Sequence, residues 1–275
     1  MSCLELLKPV TESVLSAGAL LAAEWERPNG PRGHGDKADI DAEIEVVLRA
    51  GLLELLDCDF WGEETGARLT DHEYCWVVDP NDGTRDFLLG RKGSAVSVGL
   101  LRNARPILGV VFAPVTLDRG PDCISWATGC NNVIRNGREV LSQLAQATLA
   151  PGSHVLVSTA AANKPELNAE LCAPADFIPM PSIAYRLARV AAGDAVACAS
   201  LVPVSAHDVV GGHALLIGAH GVLLNQDGHP ISYDSKAQMA TVSQRCFGGA
   251  PEACRDLVQR DWNRLFSDRR NISGY

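Results

Sequence analysis

The chain has 275 residues, 47% of them hydrophobic and 21% charged, enough to bury a full core in one large domain or two lobes. Its 33 acidic and 24 basic residues leave a formal net charge of −9, and no long Lys/Arg run occurs, which argues against a surface for nucleic acid or another polyanion. A small anionic substrate would need a local device to bring it in, and a bound cation is one.

Leu4, Leu7, Val10, Val14, Leu15, Leu20, Leu21 and Trp25 recur at helical spacing and predict an amphipathic helix over residues 3–26. Pro28-Asn29-Gly30-Pro31-Arg32-Gly33-His34-Gly35 is rich in breakers and reads as a loop. A second helix is expected over 38–56, with Ile40, Ile44, Val47, Leu48 and Leu52 on its buried face. Its first turn carries Asp39, Asp41 and Glu43, which suit the positive end of the helix dipole. Phe60-Trp61-Gly62-Glu63-Glu64-Thr65 is a short apolar approach ending in paired acids.

Trp76-Val77-Val78 then starts a strand that presents two carboxylates, Asp79 and Asp82. Pro80 fixes the backbone between them, Gly83 lets it turn, and a helix begins near Phe87 and Leu88. Such a turn suits a divalent cation beside a phosphate, or, in plain structural terms, a helix capped by Thr84. Residues 95–101 and 107–112 read as paired strands around a polar turn at 102–105. Residues 123–128 and 132–136 form a further pair, with Asn136-Gly137 as a turn signal.

Around 145–153 the pattern changes, so an N-terminal α+β lobe, 1–150, and a C-terminal α/β lobe, 151–275, are expected. Val155-Leu156-Val157 restarts a strand, and 158–171 is loop then helix. A helix over 182–192 closes at Gly193, and 195–199 is a strand. Residues 208–219 form a buried helix ended by His220-Gly221, 222–224 a strand, and 251–265 a last amphipathic helix with Pro251 in its first turn. This alternation, with its hairpins, indicates a layered α/β sandwich with mixed sheets.

Nine cysteines, an odd number with no CxxC spacing, read as small core residues of a reducing cytoplasm and not as a zinc site or disulfide framework. The first 24 residues hold Lys8 and repeated acids instead of a basic, apolar leader, and no run is read as long enough to cross a membrane. A cytoplasmic location is the expectation.

Four acidic clusters occur in order, each beside a predicted element end: Asp39/Asp41, Glu63/Glu64, Asp79/Asp82 and Asp208. Singly they have ordinary accounts as dipole charge, solvated loop, cap and helix start. Together, Gly62-Glu63-Glu64-Thr65, Asp79-Pro80-Asn81-Asp82-Gly83-Thr84 and His207-Asp208-Val209-Val210-Gly211-Gly212 resemble the inositol monophosphatase superfamily. These are lithium-sensitive, magnesium-dependent phosphomonoesterases, among them 3′-phosphoadenosine nucleotide phosphatases and fructose-1,6-bisphosphatases. The likeness extends to Asp41 and Glu45, to Asn136-Gly137 and to Ala191-Ala192-Gly193, and so covers most of the chain.

The resemblance implies a Mg²⁺-dependent phosphatase that hydrolyses a small soluble phosphomonoester with metal-activated water, using two or three ions. Asp79 bridges two ions, one also held by Glu63 and the Asn81 carbonyl, the other by Asp82 and Asp208. A third, weaker ion belongs near Glu63. Thr84 partners the attacking water, Asp41 accepts from the Thr84 hydroxyl, and Glu63 assists as base. Asp39 is the second candidate for the Asp41 part, since each has an acid four residues on. Gly83 and Thr84 N–H groups hold the phosphate, with Asp82 and Asp208 beside the substrate. Glu64 reads equally as a metal contact or a solvated acid. A homodimer is implied as well.

The departures concern the substrate. His207 stands where the family usually has Trp, and Val209-Val210-Gly211-Gly212 replaces a small-residue Ala-Gly ending. Leu201 occupies the place of a Glu that contacts ring hydroxyls in inositol-selective members. Arg186 resembles the basic position that 3′-phosphoadenosine nucleotide phosphatases use for a second phosphate, or it is a solvated helix arginine; Ser200 lacks charge. A 3′(2′),5′-bisphosphate nucleotidase is therefore the alternative, and a non-catalytic metal- or ligand-binding regulatory homologue is the alternative of another class. Zinc on His207, His213 and His220 with Asp208 is a weaker pattern. Their intervals do not repeat the i, i+4 spacing of two ligands on one helix face, so they read as core, cap and surface residues.

Overall fold

The computed structural model describes residues 2–142 and 144–271. The first amphipathic pattern forms α1 (Cys3–Trp25), started by a capping box between Ser2 and Glu5. Leu7, Val10, Val14 and Leu21 are buried, whereas Leu4, Leu15 and Leu20 stay partly in solvent, because the apolar arc is wider than the face that meets the sheet. By length and a mean hydropathy of 1.3, α1 is long and apolar enough to cross a membrane, so the expectation that no run qualifies is corrected. In the fold its buried face is part of the core.

Two minimal strands, β1 (Gly33–His34) and β2 (Lys37–Ala38), pair within the breaker-rich segment, and α2 (Asp39–Leu55) follows. Ile40, Ile44, Leu48 and Leu52 lie on one i, i+4 row and are buried. Val47 is one position off that row and faces solvent, contrary to the expected buried face.

Eight strands then build a mixed sheet: β3 (Asp59–Gly62), β4 (Ala67–Arg68), β5 (Tyr74–Asp82), β6 (Ala95–Arg102), β7 (Arg105–Ala113), β8 (Asp122–Ala127), β9 (Val133–Arg135) and β10 (Arg138–Val140). Their order is β10-β9-β8-β7-β6-β5-β3-β4, antiparallel throughout except for the β3–β5 pair. The expected pairing of 123–128 with 132–136 forms as β8 with β9, and the Asn136-Gly137 turn, with both residues at positive φ, joins β9 to β10. Along β5 the side chains alternate between two cores, Trp76 and Val78 on the α1–α2 side, Cys75 and Val77 on the other. β5 also runs past the short expected strand, and its register with β6 shifts between Asp79 and Asp82. That bulge re-aims the two carboxylates where the strand meets α3 (Thr84–Leu88).

A second sheet holds β11 (His154–Val157), β12 (Asp176–Pro179), β13 (Ala197–Ser200), β14 (Val222–Asn225) and β15 (Cys246–Gly249), in the order β12-β11-β13-β15-β14. Its helices are α4 (Pro165–Cys172), α5 (Ile183–Ala191), α6 (Ala206–Gly218), α7 (Lys236–Ala240) and α8 (Pro251–Val258). β12, α7 and β15 are too short to leave a periodic signal. The last helix stops at Val258 instead of continuing to 265: the chain turns so that Trp262 is buried against Phe247 and donates from Nε1 to the Leu257 carbonyl at 2.7 Å.

Helices α5 and α6 pack together between the sheets, touching β5, β6 and β7 on one side and β15 on the other, while α1 and α2 cover the far side of the first sheet. The sheets divide in the stretch 141–153 but share this central helical layer. α6 lies very close to the first sheet. A Cβ on Gly109 would come 2.2 Å from the Gly211 carbonyl oxygen, and one on Gly211 would come 2.5 Å from Ser97 Oγ.

Candidate active site

Three separate elements deliver carboxylates to the end of β5. The strand itself supplies Asp79 and Asp82, and the loop after β3 supplies Glu63. α6 supplies Asp208, whose carboxylate accepts from the Ser205 N–H in a capping box. The helix begins two residues earlier than expected, so Asp208 lies inside its first turn. One oxygen each from Asp79, Asp82 and Asp208 lies within 4.8 Å of the others, and a second such cluster joins Glu63, Asp79 and a ring nitrogen of His207.

Burial pushes the Asp79 carboxyl well above the usual range, and Glu63, Asp82 and Asp208 add to the rise by repulsion. Burial likewise raises Glu63, Asp82 and Asp208; charge repulsion adds to it at Glu63 and Asp82, and the Ser205 hydrogen bonds oppose it at Asp208. About a third of the Glu63 side chain meets solvent, but its carboxylate end points into the cluster. Among the described residues none of these four acids forms an ion pair with Lys or Arg. Crowded oxygen donors with no directly paired cation are what hard divalent cations fit, and Asp79, common to both clusters, could bridge two of them.

Beside the cluster, Asp41 is 2% exposed and accepts from Asn81 Nδ2 at 2.9 Å and from the Thr84 hydroxyl at 3.1 Å. The same hydroxyl is 2.8 Å from the Asn81 carbonyl, and the Asn81 N–H donates to Asp79 Oδ1 at 2.9 Å, closing the turn on itself. Burial, opposed by these hydrogen bonds, moves the Asp41 carboxyl up to about 6. Asp39, the second candidate for this place, is exposed on the far side of the helix. Gly83 has φ 95°, the left-handed conformation that favours glycine, and a Cβ there would come 3.1 Å from the Ser182 backbone nitrogen, a tight contact.

Several supporting groups carried no functional assignment in the sequence. Glu45, wholly buried one turn beyond Asp41, accepts from the N–H groups of Glu63, Glu64 and Thr65 and from the Thr65 hydroxyl. The signal for it was its i, i+4 spacing from Asp41. Ser182 donates to Asp82 at 2.6 Å, and the Ala184 N–H donates to the same oxygen; nothing local marks either. Glu64 is exposed, and among the described residues only its N–H is engaged.

A cavity of about 190 Å³ adjoins the carboxylates, lined in part by Gly83, Arg186, Ser200, Val202 and Asp208. Arg186 is not a solvated helix arginine: it is buried, with Nε 3.3 Å from the Ser182 carbonyl and Nη1 donating to the Ala199 carbonyl. Leu201 packs against the core, leaving its neighbours to line the cavity. Of the histidines, His213 bonds Tyr233 in the interior, and His220 is an exposed residue at positive φ. His207, read as a core, cap or surface residue, instead turns its ring to the carboxylates, with Nε2 3.7 Å from Asp208 and 3.9 Å from Glu63.

A model of the Inositol monophosphatase family matches residues 5–257. The chain belongs to that family. Over 114 residues it is 34% identical to the inositol-1-monophosphatase of Synechocystis sp., covering 39% of this chain and 40% of that protein. A fructose-1,6-bisphosphatase/inositol-1-monophosphatase of Aquifex aeolicus is 39% identical over 105 residues, 38% of this chain and 36% of its own length. The matched segment thus spans about two-fifths of these curated relatives. Inositol monophosphatase 2 of Solanum lycopersicum matches over more of the chain, 29% identical over 216 residues, covering 74% of this chain and 79% of that protein. Among inositol monophosphatase family structures, the Anabaena enzyme superposes with a TM-score of 0.70 at 23% identity over 96% of both chains. The Thermotoga maritima structure does so at 0.73 and 20% identity, over 94% of this chain and 96% of that one. They share the layered α/β fold.

Proposed function

We propose that this family member is a Mg²⁺-dependent phosphatase that hydrolyses a small, soluble phosphomonoester of the inositol phosphate type. The observation that carries this reading is the pair of clusters that share Asp79, one with Glu63 and His207 and the other with Asp82 and Asp208, beside a Thr84 hydroxyl braced by Asp41. The carboxylate oxygens of the four clustered acids would favour Mg²⁺: Asp79, Glu63 and the Asn81 carbonyl would hold one ion, and Asp79, Asp82 and Asp208 a second. Bound there, Mg²⁺ supplies positive charge to the phosphate and to the oxygen that leaves it.

The chain's own groups do the rest. With its proton given to Asp41, the Thr84 oxygen keeps lone pairs free to accept from and orient an attacking water, and Glu63 takes the proton that the water loses. The N–H groups of Gly83 and Thr84 hold phosphate oxygens in line with that attack. The names of the relatives support an inositol phosphate. Arg186 on the cavity wall supports the alternative, a 3′(2′),5′-bisphosphate nucleotide. The complete acidic set weighs against a non-catalytic homologue. Nine free cysteines accord with a reducing compartment such as the cytoplasm, and the family resemblance supports a homodimer.

Purified protein assayed with inositol 1-phosphate and 3′-phosphoadenosine 5′-phosphate, with Mg²⁺ and then with EDTA, tests this reading. Turnover should vanish with EDTA and fall by about a thousandfold or more in Asp79→Asn. Activity undiminished in Asp79→Asn sinks the reading. A loss confined to the nucleotide in Arg186→Ala selects the alternative substrate.

A further inference from the structure

His207 adds to the carboxylate cluster a donor of different chemistry. It precedes Asp208 in the first turn of α6, and one ring nitrogen lies within 4.8 Å of ligand oxygens of both Glu63 and Asp79. Nε2 is 3.7 Å from Asp208 and 3.9 Å from Glu63, beyond hydrogen-bond range. Nδ1 is buried and has no hydrogen-bond partner among the described residues. The ring is therefore placed by packing, with 19% of the side chain exposed, and among the described residues nothing hydrogen-bonds either nitrogen. Donor atoms bound to one ion by bonds of about 2.1 Å lie roughly 3 to 4 Å apart; Nε2 and Glu63 have that spacing, and the Asp79 oxygen lies within 4.8 Å of the ring nitrogen.

We propose that His207 is a direct nitrogen ligand at the Glu63–Asp79 metal position and biases that position toward Mn²⁺ or Co²⁺ relative to Mg²⁺. The inference rests on the reading that these carboxylates hold a divalent cation. Its chemical basis is that Mg²⁺ holds oxygen donors and water, whereas imidazole binds later divalent metals more strongly. A His207 ring that merely packs over the cluster would leave metal preference unaltered.

Pulsed EPR of the full chain loaded with Mn²⁺ reads the bond directly. The wild type should show ¹⁴N coupling to the manganese, and both His207→Phe, which keeps an aromatic ring, and His207→Gln should lose it. By calorimetry with each metal alone, the ratio of Mn²⁺ to Mg²⁺ affinity should fall by about tenfold or more in both variants, with Mg²⁺ affinity changing less. Bound Mn²⁺ without nitrogen coupling in the wild type overturns the proposal and leaves the metal site standing, and the same follows if both variants retain the coupling. No binding of either metal removes this proposal and the phosphatase reading together.

Discussion

Glu45 touches neither cavity nor cluster oxygens, yet its carboxylate accepts four hydrogen bonds that set the loop carrying Glu63. Gly62 leaves room for it, since a Cβ there would come 2.1 Å from Glu45 Oε1. Replacing Glu45 with Gln turns one acceptor into an NH₂ group facing N–H donors. Glu45→Gln should lose about 1–3 kcal/mol of stability by thermal denaturation and reduce kcat more than it changes KM. Unchanged melting and unchanged kcat would show that the loop holds its place without this carboxylate. At this scale the sequence was readable where a contact is local or periodic. The turn from Asp79 to Thr84 is contiguous, and Asp41 and Glu45 share a helix face. Ser182 on Asp82 was unreadable, because the two residues are a hundred positions apart and a serine before a helix is most simply a cap.

Among the elements, α6 decides whether the site assembles, because it carries Asp208 to the end of a strand from the other half of the chain. Its approach to β6 and β7 depends on glycine at the crossing: Gly99 and Gly109 on the strands and Gly211 on the helix have no space for a methyl group. Gly211→Ala should cost about 1–3 kcal/mol through overpacking against Ser97 and the Val98 carbonyl, and lower activity as the helix lifts Asp208 away. Denaturant unfolding and a turnover assay check both effects. Gly120→Ala, where a Cβ meets nothing within 4 Å, serves as the near-neutral control. The Val209-Val210-Gly211-Gly212 ending, which in sequence was only a departure from the family pattern, gains its account here. Gly211 faces the sheet and Gly212 faces Leu187 of α5, a pairing that no pattern within α6 announces.

Across the whole molecule, a network of charges ties the first sheet to α5. Asp122, fully buried, accepts from Arg135 at 2.6 and 2.7 Å and from the Tyr185 hydroxyl at 2.6 Å, while Arg135 also reaches Asp194 at 2.8 Å. Burial works to raise Asp194, but hydrogen bonds and charge from Arg135 and Arg189 outweigh it and hold its carboxyl below the usual range. Against the same burial effect, Arg119 and Arg189 bring Asp118 down to about 2. Carboxyls depressed in the folded state stabilise above their unfolded value of about 4, and that stability is lost as pH falls through the folded values. Melting temperature should therefore decline from about pH 5 to about pH 2. Arg135→Met should be less stable at pH 7 by about 3–5 kcal/mol, with a shallower acid decline. An acid decline as steep as that of the wild type would assign the pH dependence to other groups. The sequence by itself determined the layered α/β class, the main helices and strands, and the acidic turn, since periodicity and turn chemistry act over a few residues. Only the tertiary structure decided that Arg186 is buried, that Val47 faces out, that Trp262 folds back, and that His207 turns toward Glu63 and Asp208. Periodicity tells a side chain which face of its own element it occupies; which other face it meets is set by packing between segments far apart in the chain.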